Sequence, residues 1–201
     1  MHDHDIRRVL RNRLTALYGS DPDTAIIDEL SIRGGRNRVD LALVNGVLHG
    51  FELKSDYDTL CRLPDQVSAY NTVCDRVTLV VAERHLKDAV EFIPDWWGIR
   101  VVRGMSKGLV FRDFKLAQTN PSMNPIAVAQ MLRRNEASAL LANFGVTEAT
   151  AITHRRQLCR LIADTIELRL LCGYVRRCIR ARQSAAPLHS YGDSVRHVSM
   201  S

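Results

Sequence analysis

The stretch RVDLALVNGVLHGFELK, residues Arg38–Lys54, restricts the fold more than any other part of the chain. Two short apolar runs flank Asn45-Gly46, a hairpin signal. Yet Asp40 lies inside the first run, and Glu52 and Lys54 lie one residue apart in the second. A two-residue turn at Asn45-Gly46 would pair Asp40 with Phe51 and set a carboxylate against an aromatic ring. A three-residue turn, Asn45-Gly46-Val47, pairs Asp40 with Glu52, Leu41 with Phe51 and Val39 with Leu53. A slip of one residue exchanges the two faces of a strand, so the register that segregates polar from apolar side chains is the one expected. Upstream, a Gly34-Gly35 turn pairs Glu29 with Asp40 and Leu30 with Val39. Glu29, Asp40, Glu52 and Lys54 then share one face of a three-stranded antiparallel sheet, left open beside Ala42 and Gly50. Leu30, Ile32, Val39, Leu41, Phe51 and Leu53 share the other face.

The surrounding pattern completes an α/β sandwich. Ile6, Val9, Leu10, Leu14 and Leu17 recur at helical spacing and predict a helix over residues 3–18, ended by Gly19. Strands are expected at Ile26–Ile32, Val39–Val44 and Leu48–Lys54. Pro64 suits the first turn of a helix that starts at Leu63 and runs through Gln66, Val67, Tyr70 and Val73. RVTLVVAE, Arg76–Glu83, is a continuous apolar run of the kind buried on both faces of a sheet. A helix at Leu86–Phe92 and a strand at Ile99–Arg103 follow, giving the order α-β-β-β-α-β-α-β. After the polar segment Gln118–Asn124, one helix is expected at Pro125–Phe144 and one or two Arg-rich helices at residues 154–182. The expected organisation is a core over 1–117, a helical extension over 118–182 and a loose tail over 183–201.

Charge follows the same division. Residues 1–120 hold equal numbers of basic and acidic side chains, 17 each, so residues 121–201, with 11 Arg against 5 acids, carry the whole net charge of +6. A neutral core with an Arg-rich extension points to a polyanionic partner. No apolar run approaches the roughly 18 residues of a membrane span, and the charged N-terminus lacks the apolar core of a signal peptide, so a cytoplasmic protein is expected. The five cysteines are odd in number and form no C-x-x-C pair, which argues for reduced, structural thiols.

Carboxylates on one face raise one another's pKa values unless a cation lies among them. An oxygen-only set suits a hard ion, Mg²⁺ or Mn²⁺, held by a few carboxylates with waters retained. Such an ion polarises a phosphoryl oxygen and acidifies bound water. Lys54 on the same face would orient that water or stabilise the charged phosphorane. A lone D…E-x-K string reads first as a surface ion pair. The shared parity of four charges, the apolar flanks and the small residues Ala42 and Gly50 argue here for a site.

These residues resemble the PD-(D/E)XK, restriction-endonuclease-like, nuclease superfamily over residues 5–103, and in particular its small bacterial DNA-repair-type members. The resemblance implies an α-β-β-β-α-β sandwich core with Asp40 as the first acid, Glu52 as the second, Lys54 as the lysine and Glu29 as an additional upstream acid. Gln66 and Tyr70 resemble the superfamily's Q-x-x-x-Y variant, in which the glutamine approaches the active site; packing of two helical residues on the sheet is the alternative. Val39 stands where the motif has proline. Residues 105–201 resemble the Arg-bearing extension of an uncharacterised bacterial and phage group of such nucleases.

The expectation is a Mg²⁺- or Mn²⁺-dependent nuclease that hydrolyses phosphodiester bonds in DNA, in repair, recombination or phage-related DNA processing. Asp40, Glu52, Glu29 and the Leu53 carbonyl would hold the ion. Arg33, Arg36 and Arg38 beside the cleft, with Arg155, Arg156, Arg176 and Arg177 on the helices, would contact phosphates. Cleavage would be abolished by Asp40→Ala or Lys54→Ala with the fold retained. The alternatives are a non-catalytic DNA- or protein-binding module on the same fold and an RNA-directed nuclease. A monomer and a homodimer are both compatible with the sequence.

Overall fold

A computed structural model describes residues 1–106, 108–146, 152 and 154–184. Six strands form one sheet in sequence order: β1 (Ala25–Ile32), β2 (Asn37–Val44), β3 (Leu48–Lys54), β4 (Arg76–Ala82), β5 (Gly98–Met105) and β6 (Gly108–Lys115). β1, β2 and β3 are antiparallel, β3, β4 and β5 are parallel, and β6 returns antiparallel to β5. The parallel pairs need crossovers, which α2 (Leu63–Asn71) and the short α3 (Leu86–Ala89) provide.

The hairpin register agrees with the longer turn: Leu41 pairs with Phe51 and Val44 with Leu48. Leu30 pairs with Val39, as the upstream turn requires, across a loop at residues 33–36. The division of faces differs from the expectation. Ile27, Ile32 and Val39 belong to the core under the later helices, whereas Leu41, Leu43, Phe51 and Leu53 belong to a second core under α1 (Asp3–Tyr18). Alternation therefore breaks between Val39 and Leu41, next to Glu29, whose φ of 55° departs from extended geometry. Ile6, Leu10 and Leu14 bury the predicted stripe of α1 against this second core.

Two further expectations change. The sequence predicts no strand after Ile99–Arg103, and β6 is an addition to that order within the expected core. It is an edge strand, with Leu109 and Phe111 against the α1 core and Val110 and Phe114 exposed. The single helix expected at Pro125–Phe144 is two, α4 (Pro125–Ala129) and α5 (Arg134–Asn143). At the break the Glu136 carboxylate accepts from the Arg133 N–H at 2.6 Å and starts a new helix. Carbonyls freed there find arginines: Arg155 donates to Gln130 and Leu132 at 2.6 and 3.0 Å, and Arg182 to Met131 at 3.0 Å.

The Arg-rich segment forms α6 (Arg155–Thr165) and α7 (Leu168–Ser184). Leu158, Ile162, Leu171, Val175 and Ile179 join the same buried cluster as α2 and the sheet, so these helices cover a face of the core instead of extending from it. Asn120 secures the connection by donating to the Asn71 and Cys74 carbonyls at 2.9 and 2.8 Å. Of the expected loose tail, Gln183 and Ser184 end α7, and residues 185–201 lie outside the described residues. All five cysteines are free thiols, with Cys74, Cys159 and Cys172 buried. No helix among the described residues is long and apolar enough to cross a membrane.

Asp75 joins helix to sheet. Its Oδ2 accepts from the Leu48 N–H at 2.6 Å and from Arg176 Nη1 at 2.9 Å, and both side chains are mostly buried. Asp75→Ala leaves a backbone donor and a guanidinium without acceptors, and is expected to cost about 2–4 kcal/mol in urea unfolding. A loss below about 1 kcal/mol would show that the pair is of surface type.

Candidate active site

The β2–β3 ladder runs from Val44 and Leu48 to Leu41 and Phe51. Beyond it a side chain takes the place of the partner strand: Asp40 Oδ2 accepts the Leu53 N–H at 2.8 Å. The Asp40 N–H donates to the Tyr70 hydroxyl at 3.2 Å, and that hydroxyl donates to Glu52 Oε2 at 2.5 Å. Lys54 Nζ donates to Glu52 Oε1 at 2.7 Å and to Gln66 Oε1 at 2.9 Å. Gln66 and Tyr70 stand one turn apart on α2, and this spacing turns both toward β3. Asp40, Glu52, Lys54, Gln66 and Tyr70 thus form one network; all but the fully buried Tyr70 line a cleft of 640 Å³, together with Arg36, Arg38 and Leu53.

The face expected to be open is covered. Glu52 is fully buried and Lys54 is 3% exposed. A Cβ on Gly50 would meet Cys74 Sγ at 3.1 Å and Val39 Cγ1 at 3.2 Å, so small residues there admit α2 and its following turn, not a ligand. The cleft opens instead at Asp40.

Burial, and then the neighbouring Glu52 charge, push the Asp40 carboxyl up to about 8 against the Leu53 N–H and Arg7. Burial likewise raises Glu52 against the pull of Lys54 and Tyr70. Burial and the two carboxylates hold the Tyr70 hydroxyl well above its ordinary range, which keeps it a donor. Both carboxyls thus resist ionisation chiefly because they are buried, with Lys54 and Arg7 pulling the other way. Their oxygen donors, with the Leu53 carbonyl at the same strand end, fit a hard divalent ion of the kind bound through one or two carboxylates plus substrate oxygens.

The larger carboxylate set does not assemble. Glu29, held at φ 55°, lies 2.8 Å from Arg7 Nη1 and 3.9 Å from Arg38 Nη1. Among the described residues no group of three or more His, Cys, Asp or Glu is placed to hold a metal. Glu29 is thus a rim residue engaged by arginines, and Asp40 and Glu52 are left as the facing pair.

Sequence reasoning missed Arg7. It lies 3.1 Å from Asp3 and 3.6 Å from Asp40 Oδ1, and it also donates to the Asp40 carbonyl. Its only local signal is its place beside Ile6 on the buried edge of α1 and one turn after Asp3.

The predicted phosphate contacts divide. Arg36 and Arg38 line the cleft, and Arg33 stands 3.9 Å from Asp65. Arg155 and Arg176 each have a partner within the fold: Arg155 Nη2 holds the α4–α5 break, and Arg176 pairs with the mostly buried Asp75. Arg177 stacks over Tyr174 at 5.6 Å, and Arg156 is exposed.

The family described as Bacteriophage P4 protein cII matches residues 2–193. The chain belongs to this family. Among curated proteins, protein cII of Enterobacteria phage P4 is 25% identical over 163 residues, which cover 81% of this chain and 61% of that protein. The chain therefore spans less than two thirds of that relative's length. A solved protein of unknown function from Silicibacter pomeroyi aligns with 77% of this chain and 98% of its own, at 17% identity and a TM-score of 0.43. Because the P4 cII family match runs through both the sheet and α4–α7, the cleft and the helices covering the core belong to one family unit.

Proposed function

We propose that this chain is a metal-dependent nuclease of the PD-(D/E)XK kind, restriction-endonuclease-like in its core, that hydrolyses phosphodiester bonds in DNA. The observation that carries the reading is the fork between β2 and β3, where the Asp40 carboxylate replaces a strand and faces a buried Glu52–Lys54–Gln66 chain. When bound, a hard divalent ion, Mg²⁺ or Mn²⁺, supplies Lewis-acid polarisation of a phosphoryl oxygen and lowers the pKa of adjacent water. Asp40, Glu52 and the Leu53 carbonyl are the groups that would hold it. An ammonium has three donors, and among the described residues Glu52 and Gln66 take two from Lys54, which leaves a third to orient the attacking water. Arg7 and Arg38 at the mouth would hold non-bridging phosphate oxygens once drawn off Glu29. Tyr70 positions Glu52 and does not react.

Tyr70→Phe removes the donor to Glu52 Oε2 and the acceptor for the Asp40 N–H. It is expected to weaken Mn²⁺ activation about 10–100-fold with the fold retained. An unchanged metal dependence would make Tyr70 a packing residue.

The primary test is cleavage of matched DNA and RNA strands with Mg²⁺ or Mn²⁺ and with excess chelator. Cleavage that persists in chelator overturns the reading, and a preference for RNA moves it to the RNA-directed alternative. A non-catalytic binding module draws support from the burial of Lys54, at 3% exposure. Salt-sensitive DNA binding without cleavage under any divalent ion would favour that second reading. The phage origin of the matched relative fits phage-related DNA processing among the expected settings.

A further inference from the structure

Beside the carboxylate cleft lies a second cleft of 560 Å³, between the β1–β2 loop and α4 and α6. Arg33, Arg36, Arg155 and Arg156 line it together with Gln130, and no acidic residue among the described ones does. Arg36 lines both clefts, so the two adjoin at that side chain.

We propose that this groove holds the phosphodiester backbone of a nucleic-acid strand that leaves the carboxylate cleft past Arg36. It would serve the proposed nuclease and rests on that reading for its substrate. Its cations are available: among the described residues Arg36 and Arg156 make no ion pair, and the Arg33–Asp65 separation of 3.9 Å is a weak attachment. Arg155 is anchored through Nη2 by the Gln130 and Leu132 carbonyls, which fixes one guanidinium in the wall. The loop sets Arg33 and Arg36 at the rim through successive positive φ values of 50°, 68° and 96° at Arg33, Gly34 and Gly35. A concave wall of four arginines suits a strand better than the flat surface of a bilayer. Guanidinium contacts to phosphate hold a strand without reading its sequence.

Binding of labelled mixed-sequence single-stranded DNA, and of RNA of the same sequence, is followed by fluorescence anisotropy on the full chain in excess chelator over a salt series. Arg156→Glu is expected to weaken binding about tenfold, and Arg156→Ala to reduce the slope of log affinity against log salt by about 1. Arg156 is exposed and lines the groove but not the carboxylate cleft, so thermal melts of these variants should match the parent. Arg169→Glu, exposed on α7 and lining neither cleft, should bind as the parent does. A loss at Arg156 with DNA, RNA or both supports the groove. No loss at Arg156, or an equal loss at Arg169, overturns it. If the parent binds but never cleaves with Mg²⁺ or Mn²⁺, the nuclease reading fails while the groove stands.

Discussion

Asp40→Asn is expected to abolish cleavage and, in the metal-free protein at alkaline pH, to raise stability. In the proposed site, losing one of the two carboxylates that would hold the ion removes several kcal/mol of charge stabilisation, or about 10³-fold in rate. The stability gain follows from the Asp40 carboxyl, pushed from 3.8 to about 8 by burial and then by Glu52. A raised pKa means that the folded state keeps its proton after the unfolded chain has released it. The contribution of Asp40 is fully present below the unfolded value and falls as pH rises from about 4 through about 8. Asparagine never ionises, and its oxygen still accepts the Leu53 N–H. The variant should therefore match the parent near pH 4 and exceed it by at least about 1–2 kcal/mol above pH 8, some 3–6 °C in melting temperature for a chain of this size. Mn²⁺ should raise the melting temperature of the parent and not of the variant. A structural aspartate predicts the reverse, so an Asp40→Asn protein that melts lower at pH 8.5 would remove the site.

The hairpin was legible because its information is local and of period two. Only one register of Asn45-Gly46-Val47 puts Leu41 against Phe51, and the ladder agrees. The Gln66–Tyr70 spacing was legible for the analogous helical reason. Neither periodicity shows where it is interrupted. Glu29 at φ 55° sits where alternation breaks, so Val39 and Leu41 enter different cores, and no residue type near it announces the change. Arg7 reached Asp40 and Glu29 from a helix distant in sequence, a contact that helical spacing cannot carry. The same holds for the arginines. Arg155, Arg176 and Arg182 look alike as sequence, yet each completes a carbonyl or carboxylate far along the chain. Net charge predicted a polyanion, but burial decides which cations are free to meet one.

Lys54→Ala is expected to lose cleavage, but not with the fold undisturbed as the exposed reading would have it. Lys54 is 3% exposed and its partner Glu52 fully buried, so removing the ammonium leaves a carboxylate with Tyr70 as its remaining donor. Breaking a buried pair from one side costs about 3–5 kcal/mol. The cost should depend on pH, because Lys54 is the strongest influence holding Glu52 down against burial. Without it Glu52 rises further and takes a proton on folding. At low pH the buried group is neutral and the variant should approach the parent. As pH climbs, folding must either retain a proton that the unfolded chain has lost or bury the charge, and the deficit should widen. Lys54→Met combined with Glu52→Gln removes both charges at similar volume and should recover most of the stability while remaining inactive. Melts at pH 5 and pH 8 decide between the two readings of this residue. A deficit of equal size at both would mean that Glu52 stays neutral regardless of its partner, and then Lys54 would not be the group that keeps a carboxylate ready for a metal.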